Sequence, residues 1–457
     1  MPDHLISSTV VCPQPGKEYP RISHGKGIYL YDETGKQYID GSGAASAVTL
    51  LGHGREDIAE VLRRQAACVA LTPTHYFSTR VLEEYVAAIS DFAPAGMNYA
   101  WTVSGGTEAV ENALKLARQY HYLSGEPQRY KIIGRWQSYH GSTIGMLDVG
   151  GITSRRSMFA PLMRQHPHIP PAYCYRCPFG KVPSSCAIEC AAALEKLICQ
   201  EGAETIAAFV AEPVVGAALG AVPAPEGYFQ RVREICDRYG VLLIVDEVMT
   251  GFGRTGKNFA IEHWGVTPDI IASAKGMSGG YFPLGIVIAH ERIVKPLVDR
   301  GQSFVGGHTY ACNPLGAAVG LYVLNYIKDH NLVDRARALG EYFLQKLSDL
   351  LSLDIVGDVR GMGLLVGIEF VCDKVSKKPW PAALEVSKRI GEEALKRGLV
   401  TYPGRGSVDG VAGDHIKLAP PLIIQEHQLD EIVGILRSAI IAISDELQLQ
   451  QTGALAP

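Results

Sequence analysis

Short apolar runs alternate with amphipathic stretches through the middle of the chain. Tyr99-Ala-Trp-Thr-Val103, Ile206-Ala-Ala-Phe-Val-Ala211, Val241-Leu-Leu-Ile-Val245 and Asp269-Ile-Ile-Ala-Ser-Ala274 are nearly continuous in apolar character. That is the expectation for parallel strands covered on both faces. After the first run, Ala109, Ala113, Leu116 and Tyr120 recur at helical spacing. The alternation predicts an α/β fold with a mostly parallel sheet. Ahead of it, Gly27–Asp40 reads as a hairpin with Thr34-Gly35 at its turn. Beyond about residue 316 the pattern changes to long helices, over roughly 316–328, 332–352, 383–398 and 427–447, flanking short strands such as Gly363–Phe370. These shifts divide the chain into an N-terminal arm with part of a small domain (1–60), a large domain (61–315) and a smaller α+β domain at the C-terminus (316–457).

Composition narrows the classes. With 457 residues there is chain enough for two or three domains. A hydrophobic fraction of 47% against 20% charged argues for a packed core and against disorder. The net charge of −4 gives no electrostatic reason to expect nucleic acid or an anionic membrane as partner. No apolar run is long enough to span a bilayer. The first residues lack a basic patch followed by an apolar segment. The expectation is a cytoplasmic protein whose ten cysteines stay reduced.

Chemistry collects where the apolar runs stop. The first run passes through Ser104-Gly-Gly-Thr107 into a helix. Such a helix start offers free backbone N–H groups and a positive dipole end, which suits a phosphate. The same turn also serves as a plain helix start capped by Ser104 or Thr107. The other three runs end at Glu212, Asp246 and Lys275. In open α/β sheets, ligands sit outside the carboxyl ends of the strands, so the three could share one crevice. Any one of them alone is an ordinary start to a polar loop. A phosphate seat, a carboxylate and a lysine together suit pyridoxal 5′-phosphate. The lysine forms a Schiff base with its aldehyde, and the carboxylate keeps its ring nitrogen protonated.

From about Gly27 to Ala442 the chain resembles the class III (omega) aminotransferases, fold-type I pyridoxal-phosphate enzymes. The most specific segment is Leu243-Ile-Val-Asp-Glu-Val-Met-Thr-Gly-Phe-Gly-Arg-Thr-Gly256, followed by Lys275 in Ser-Ala-Lys-Gly-Met-Ser-Gly-Gly. The resemblance implies Lys275 as the catalytic Schiff-base lysine, Asp246 as partner of the ring nitrogen and Val248 on one face of the ring. It implies Gly106 and Thr107 at the phosphate, Tyr139 stacked on the other face with His140 beside it, and Glu212 ordering the pocket. Thr309 would reach the phosphate of the partner subunit, so the active site would lie at a homodimer interface. The implied activity is a ping-pong transaminase that moves an amino group from an amine or omega-amino acid to a keto acid such as pyruvate. An epimerase or other isomerase on the same scaffold is the alternative, and it needs no keto acid.

Two segments depart from the family pattern. Many members carry an arginine near a Gly-Asp…Pro-Pro-Leu segment, where its fork grips a substrate carboxylate. Here that segment is Asp409-Gly-Val-Ala-Gly-Asp-His-Ile-Lys-Leu-Ala-Pro-Pro-Leu422, without arginine, and upstream Arg405 is the candidate substitute. A tryptophan found early in the pocket of amine-accepting members is replaced by Gly41-Ser-Gly-Ala-Ala-Ser-Ala47, which suggests room for a bulkier donor. Separately, Cys174, Cys177, Cys186 and Cys190 have an unfamiliar spacing for a zinc ribbon. Reduced thiols are the favoured reading, with no metal.

Overall fold

A computed structural model of the chain describes residues 18–451. The four runs lie in one seven-stranded sheet. Its order is Tyr99–Val103, Gly285–Ala289, Ile270–Ala274, Leu242–Asp246, Ile206–Ala211, Lys131–Arg135, His168–Ile169. Neighbours pair in parallel, except that Gly285–Ala289 runs antiparallel to both of its neighbours.

Alternation along each strand assigns its two faces. Leu243 and Val245 fall on one side with Phe209, Ile271 and Ile286. Ile244 falls on the other with Val210, Ala272 and Val287. Helix Gly106–Leu123 covers the second side through Ala109, Val110, Ala113 and Leu116. Helices Glu189–Glu201 and Tyr228–Tyr239 cover the first through Leu194, Ile198, Val232 and Ile235. Both faces are dry, so the strands carry no polar stripe and their polar groups are confined to strand ends.

The first strands and the C-terminal third share structure. The hairpin read over Gly27–Asp40 is present as Tyr29–Asp32 and Gln37–Asp40. Its turn is held by the Asp32 carboxylate, which accepts the N–H groups of Thr34 (2.9 Å) and Lys36 (3.0 Å). Ile22–Lys26 extends this sheet on one side, and Leu399–Val400 joins it in parallel on the other. A separate antiparallel sheet has the order Val356–Met362, Leu365–Phe370, Ala412–Leu418, Tyr402–Val408. The four long helices are Pro314–Asp329, Leu332–Ser348, Val386–Lys396 and Glu426–Gln451. The first begins with proline after an Asn313 cap that accepts from Leu315 N at 2.9 Å, where a missing N–H costs nothing. Among the described residues no helix is long and apolar enough to cross a membrane.

Candidate active site

The carboxyl ends of the parallel strands open onto a cavity of about 150 Å³. Gly106, Thr107, Tyr139, Glu212, Asp246, Val248 and Lys275 all line it, as do His140 and Met249. Three different strand ends, a strand-to-helix turn and the loop after Arg135 thus converge on one place. Thr309 is not part of this lining.

Asp246 and Glu247 are adjacent carboxylates that strand geometry sends apart. Asp246 is buried beside His140, whose Nδ1 lies 2.8 Å from its Oδ2. Asp246 Oδ1 accepts the N–H of Val248 at 3.0 Å. Glu247 instead turns into the loop that follows. Its Oε1 accepts the Ile261 N–H at 2.8 Å and it also takes the Thr250 hydroxyl. Burial pushes the Glu247 carboxyl up to about 7. One acid therefore serves the cavity and its neighbour pins the loop.

Glu212 is held from two directions. Tyr139 N donates to its Oε1 at 2.7 Å, and the buried Arg135 guanidinium donates to its backbone carbonyl at 2.6 Å. Burial raises the Glu212 carboxyl above its ordinary range. His140, Glu212 and Asp246 each place a ligating atom within 4.8 Å of the others. In this tight polar group, Glu212 Oε2 and His140 Nε2 are buried with no hydrogen-bond partner. Buried polar atoms are nearly always satisfied, so the cavity is built around a polar guest.

Lys275 faces the same group. It follows strand Ile270–Ala274 at φ 49°, a left-handed conformation rare outside glycine. Such strain at a strand end is typical of functional positions. Burial brings its pKa down to about 8, opposed by Asp246 and Glu212 and reinforced by the positive Arg155. At pH 7 about a tenth of such an amine is neutral, against about three in ten thousand for an ordinary lysine.

The turn into helix Gly106–Leu123 has no side-chain cap, so its first N–H groups are left for another acceptor. Neither Ser104 nor Thr107 plays the capping part. A Cβ at Gly106 would come within 2.8 Å of Val248 Cγ1, and one at Gly141 within 2.7 Å of Thr107 Oγ1. Glycine at both places lets the backbone close on the cavity.

Arg405 does not reach the cavity. It donates to the Ala382 carbonyl at 2.6 Å and lies 3.7 Å from Glu385. Thr309 lies exposed in the loop before helix Pro314–Asp329. That loop is tied back by Gly307 N donating to Asn112 Oδ1 (2.8 Å) and Ser104 N donating to His308 Nε2 (3.2 Å). Cys174 and Cys186 are exposed, Cys177 is half-buried and Cys190 is buried. Among the described residues their sulfurs do not gather within reach of one ion. Cys174 and Cys177 border a larger cavity of about 950 Å³ that shares no lining residue with the Lys275 site.

Sequence reasoning passed over three residues that matter here. Asp40 is buried and its carboxylate accepts from Ala44 N (2.8 Å) and Thr49 Oγ1 (2.8 Å), clamping the turn that follows. Ser46 sits in that turn. Lys417 is buried in strand Ala412–Leu418. Only Lys417 left a signal, as a lone cation between the apolar residues Ile416 and Leu418.

Residues 14–440 match the family model for class III aminotransferases. The uncharacterized aminotransferase YodT of Bacillus subtilis is 36% identical over 97% of this chain and 100% of its own length. The putrescine–pyruvate aminotransferase of Pseudomonas aeruginosa is 31% identical over 92% of this chain and 90% of its own. The solved structure of an (S)-enantioselective omega-transaminase from Thermomicrobium roseum superimposes with a TM-score of 0.89 at 34% identity, covering 96% of this chain and 97% of that one. The chain belongs to the class III aminotransferases, enzymes that depend on pyridoxal phosphate. Its fold is the mixed α/β fold-type I of that family, as the resemblance implied.

Proposed function

We propose that this enzyme is a ping-pong transaminase. It passes an amino group from an amine or omega-amino acid to a keto acid such as pyruvate, from the cytoplasm and as a homodimer. The observation that carries the reading is the buried Lys275 amine, brought to about 8 beside Asp246 and Glu212. The names of two relatives, a putrescine–pyruvate aminotransferase and an omega-transaminase, support the donor and acceptor classes.

Pyridoxal phosphate supplies an aldehyde that can be linked to an amine and a protonated ring that takes up a carbanion's electron pair. The chain's own residues do the rest. Lys275, neutral in sufficient fraction, provides the nucleophilic Nζ and later carries a proton to and from the substrate carbon. Asp246 would pair with the ring nitrogen and keep its proton in place. His140, bonded to Oδ2, fixes that carboxylate. The N–H groups of Gly106 and Thr107 would hold the phosphate at the uncapped helix start. Tyr139 and Val248, which both line the cavity, would flank the ring. Glu212 sets the position of Tyr139 through its backbone N–H. Thr309, exposed in one subunit, completes the phosphate site of the partner.

The test is a donor screen with pyruvate, reading alanine formation. At least one amine or omega-amino acid is expected to give alanine only when both pyruvate and cofactor are present. No alanine from any donor, together with racemisation of an amino acid without a keto acid, would point to an isomerase instead.

A pH measurement probes Lys275 itself. The protonated amine cannot attack, so the rate at which cofactor-free protein captures pyridoxal phosphate is expected to climb from pH 7 and flatten above about 8. A rate still climbing tenfold per unit at pH 9–10 would mean an unperturbed lysine.

A further inference from the structure

Lys417 is fully buried, and among the described residues it forms no ion pair with an acid; Glu212 acts on it only from farther off. Its Nζ donates to Ser46 Oγ and lies 4.1 Å from the centre of the Tyr402 ring. Ser46 in turn lies 3.7 Å from Met249 Sδ, and Met249 lines the Lys275 cavity. An ammonium has three donors, and here one hydroxyl and one ring face are its two partners. Charging a buried amine that has no counter-charge is costly, and an anionic ligand supplies that counter-charge.

The surroundings are built to hold this cation in place. Ser46 is carried by Gly43–Ala47, in which Ala44 (φ 58°), Ser46 (φ 159°) and Ala47 (φ 59°) all have positive φ. Asp40 clamps that segment through the Ala44 N–H and the Thr49 hydroxyl, and Ala419 N donates to Gly41 O at 2.8 Å. Strained backbone held by several bonds marks a place where position matters. Arg405 is tied to Ala382 and Glu385 instead. Burial, and then the positive charge of Lys275, drive the Lys417 amine well below its ordinary value, with Glu212 opposing and Arg155 adding to the fall. An incoming anion relieves both.

Resting on the transaminase reading, we infer that Lys417 is a specificity-determining residue that binds the carboxylate of the substrate, above all that of the keto-acid acceptor. The task that a forked arginine performs elsewhere falls here to a buried ammonium, a point charge with less demand on geometry. Substrates with a carboxylate gain from Lys417, and those without one do not.

The experiment uses the holoenzyme and two variants, Lys417→Met and Lys417→Arg. One arm needs no turnover: binding of propionate, an unreactive carboxylate, measured by calorimetry. Lys417→Met is expected to weaken it at least tenfold, and Lys417→Arg less. The second arm compares pyruvate with acetaldehyde, which lacks the carboxylate, using the best donor from the screen. KM for pyruvate should rise at least tenfold in Lys417→Met, with kcat and the acetaldehyde KM within about twofold. The cofactor-free Lys417→Met protein should melt no lower than the parent, because an apolar side chain of similar length replaces a buried amine with few partners. Unchanged propionate affinity, equal shifts for both acceptors, or a lowered melting temperature with unchanged propionate affinity would each overturn the assignment. Failure of the parent to transfer an amino group to any keto acid would instead remove the transaminase reading, and the propionate arm would still judge Lys417.

Discussion

Lys275→Ala is expected to leave a folded protein whose amino-transfer turnover falls by roughly 10⁴-fold or more. Two functions sit on that one amine. On the proposed reading it is both the nucleophile that links the cofactor and the base that serves the substrate carbon. No other lysine shares its place among Asp246, Glu212 and His140 in the cavity lining. The fold should tolerate the change because the side chain is buried at a cost. Desolvation, reinforced by Arg155, lowers its pKa, so its charged form is destabilised where it stands. Circular dichroism with the pyruvate assay checks both halves. Turnover within tenfold of the parent would remove Lys275 from the chemistry.

Asp246→Asn is the second large effect, expected to cost about 10²–10³-fold in turnover. The amide has nearly the shape of the carboxylate, so the Val248 N–H can still be accepted at Oδ1. It lacks the negative charge that favours a protonated ring nitrogen, and its NH₂ group cannot accept from His140. The adjacent acid is the control. Glu247 lies on the other side of the strand, bonded to Ile261 and Thr250. Glu247→Gln should therefore change stability more than turnover. Equal losses from the two substitutions would mean that the period-two division of these acids has no functional weight.

Much of this was legible in the sequence because burial leaves a plain trace. Strands dry on both faces must be continuously apolar, and their ends are then the first places where ionisable groups can stand. Glu212, Asp246 and Lys275 were found in that way and do share a cavity. The hairpin was legible from its turn residues, and the C-terminal helices from their spacing. What stayed hidden depends on contacts between distant parts of the chain. The parallel pairing of Ile39 with Leu399 has no local signature. Strand Gly285–Ala289 is as apolar as its neighbours, and only the register shows that it runs the other way. Lys417 stands in an otherwise apolar strand end, and only the fold reveals that Ser46 and Tyr402 surround it. Arg405, the candidate chosen for its proximity in sequence, turned out to be fastened to Ala382.

One particular buried amine, that of Lys275, is expected to hold the cofactor. Reducing the yellow holoenzyme with borohydride and mapping the modified peptide by mass spectrometry tests it directly. The mass of the reduced cofactor should appear on Lys275 alone. A modification on Lys417 or on a surface lysine, or none at all, would contradict the account.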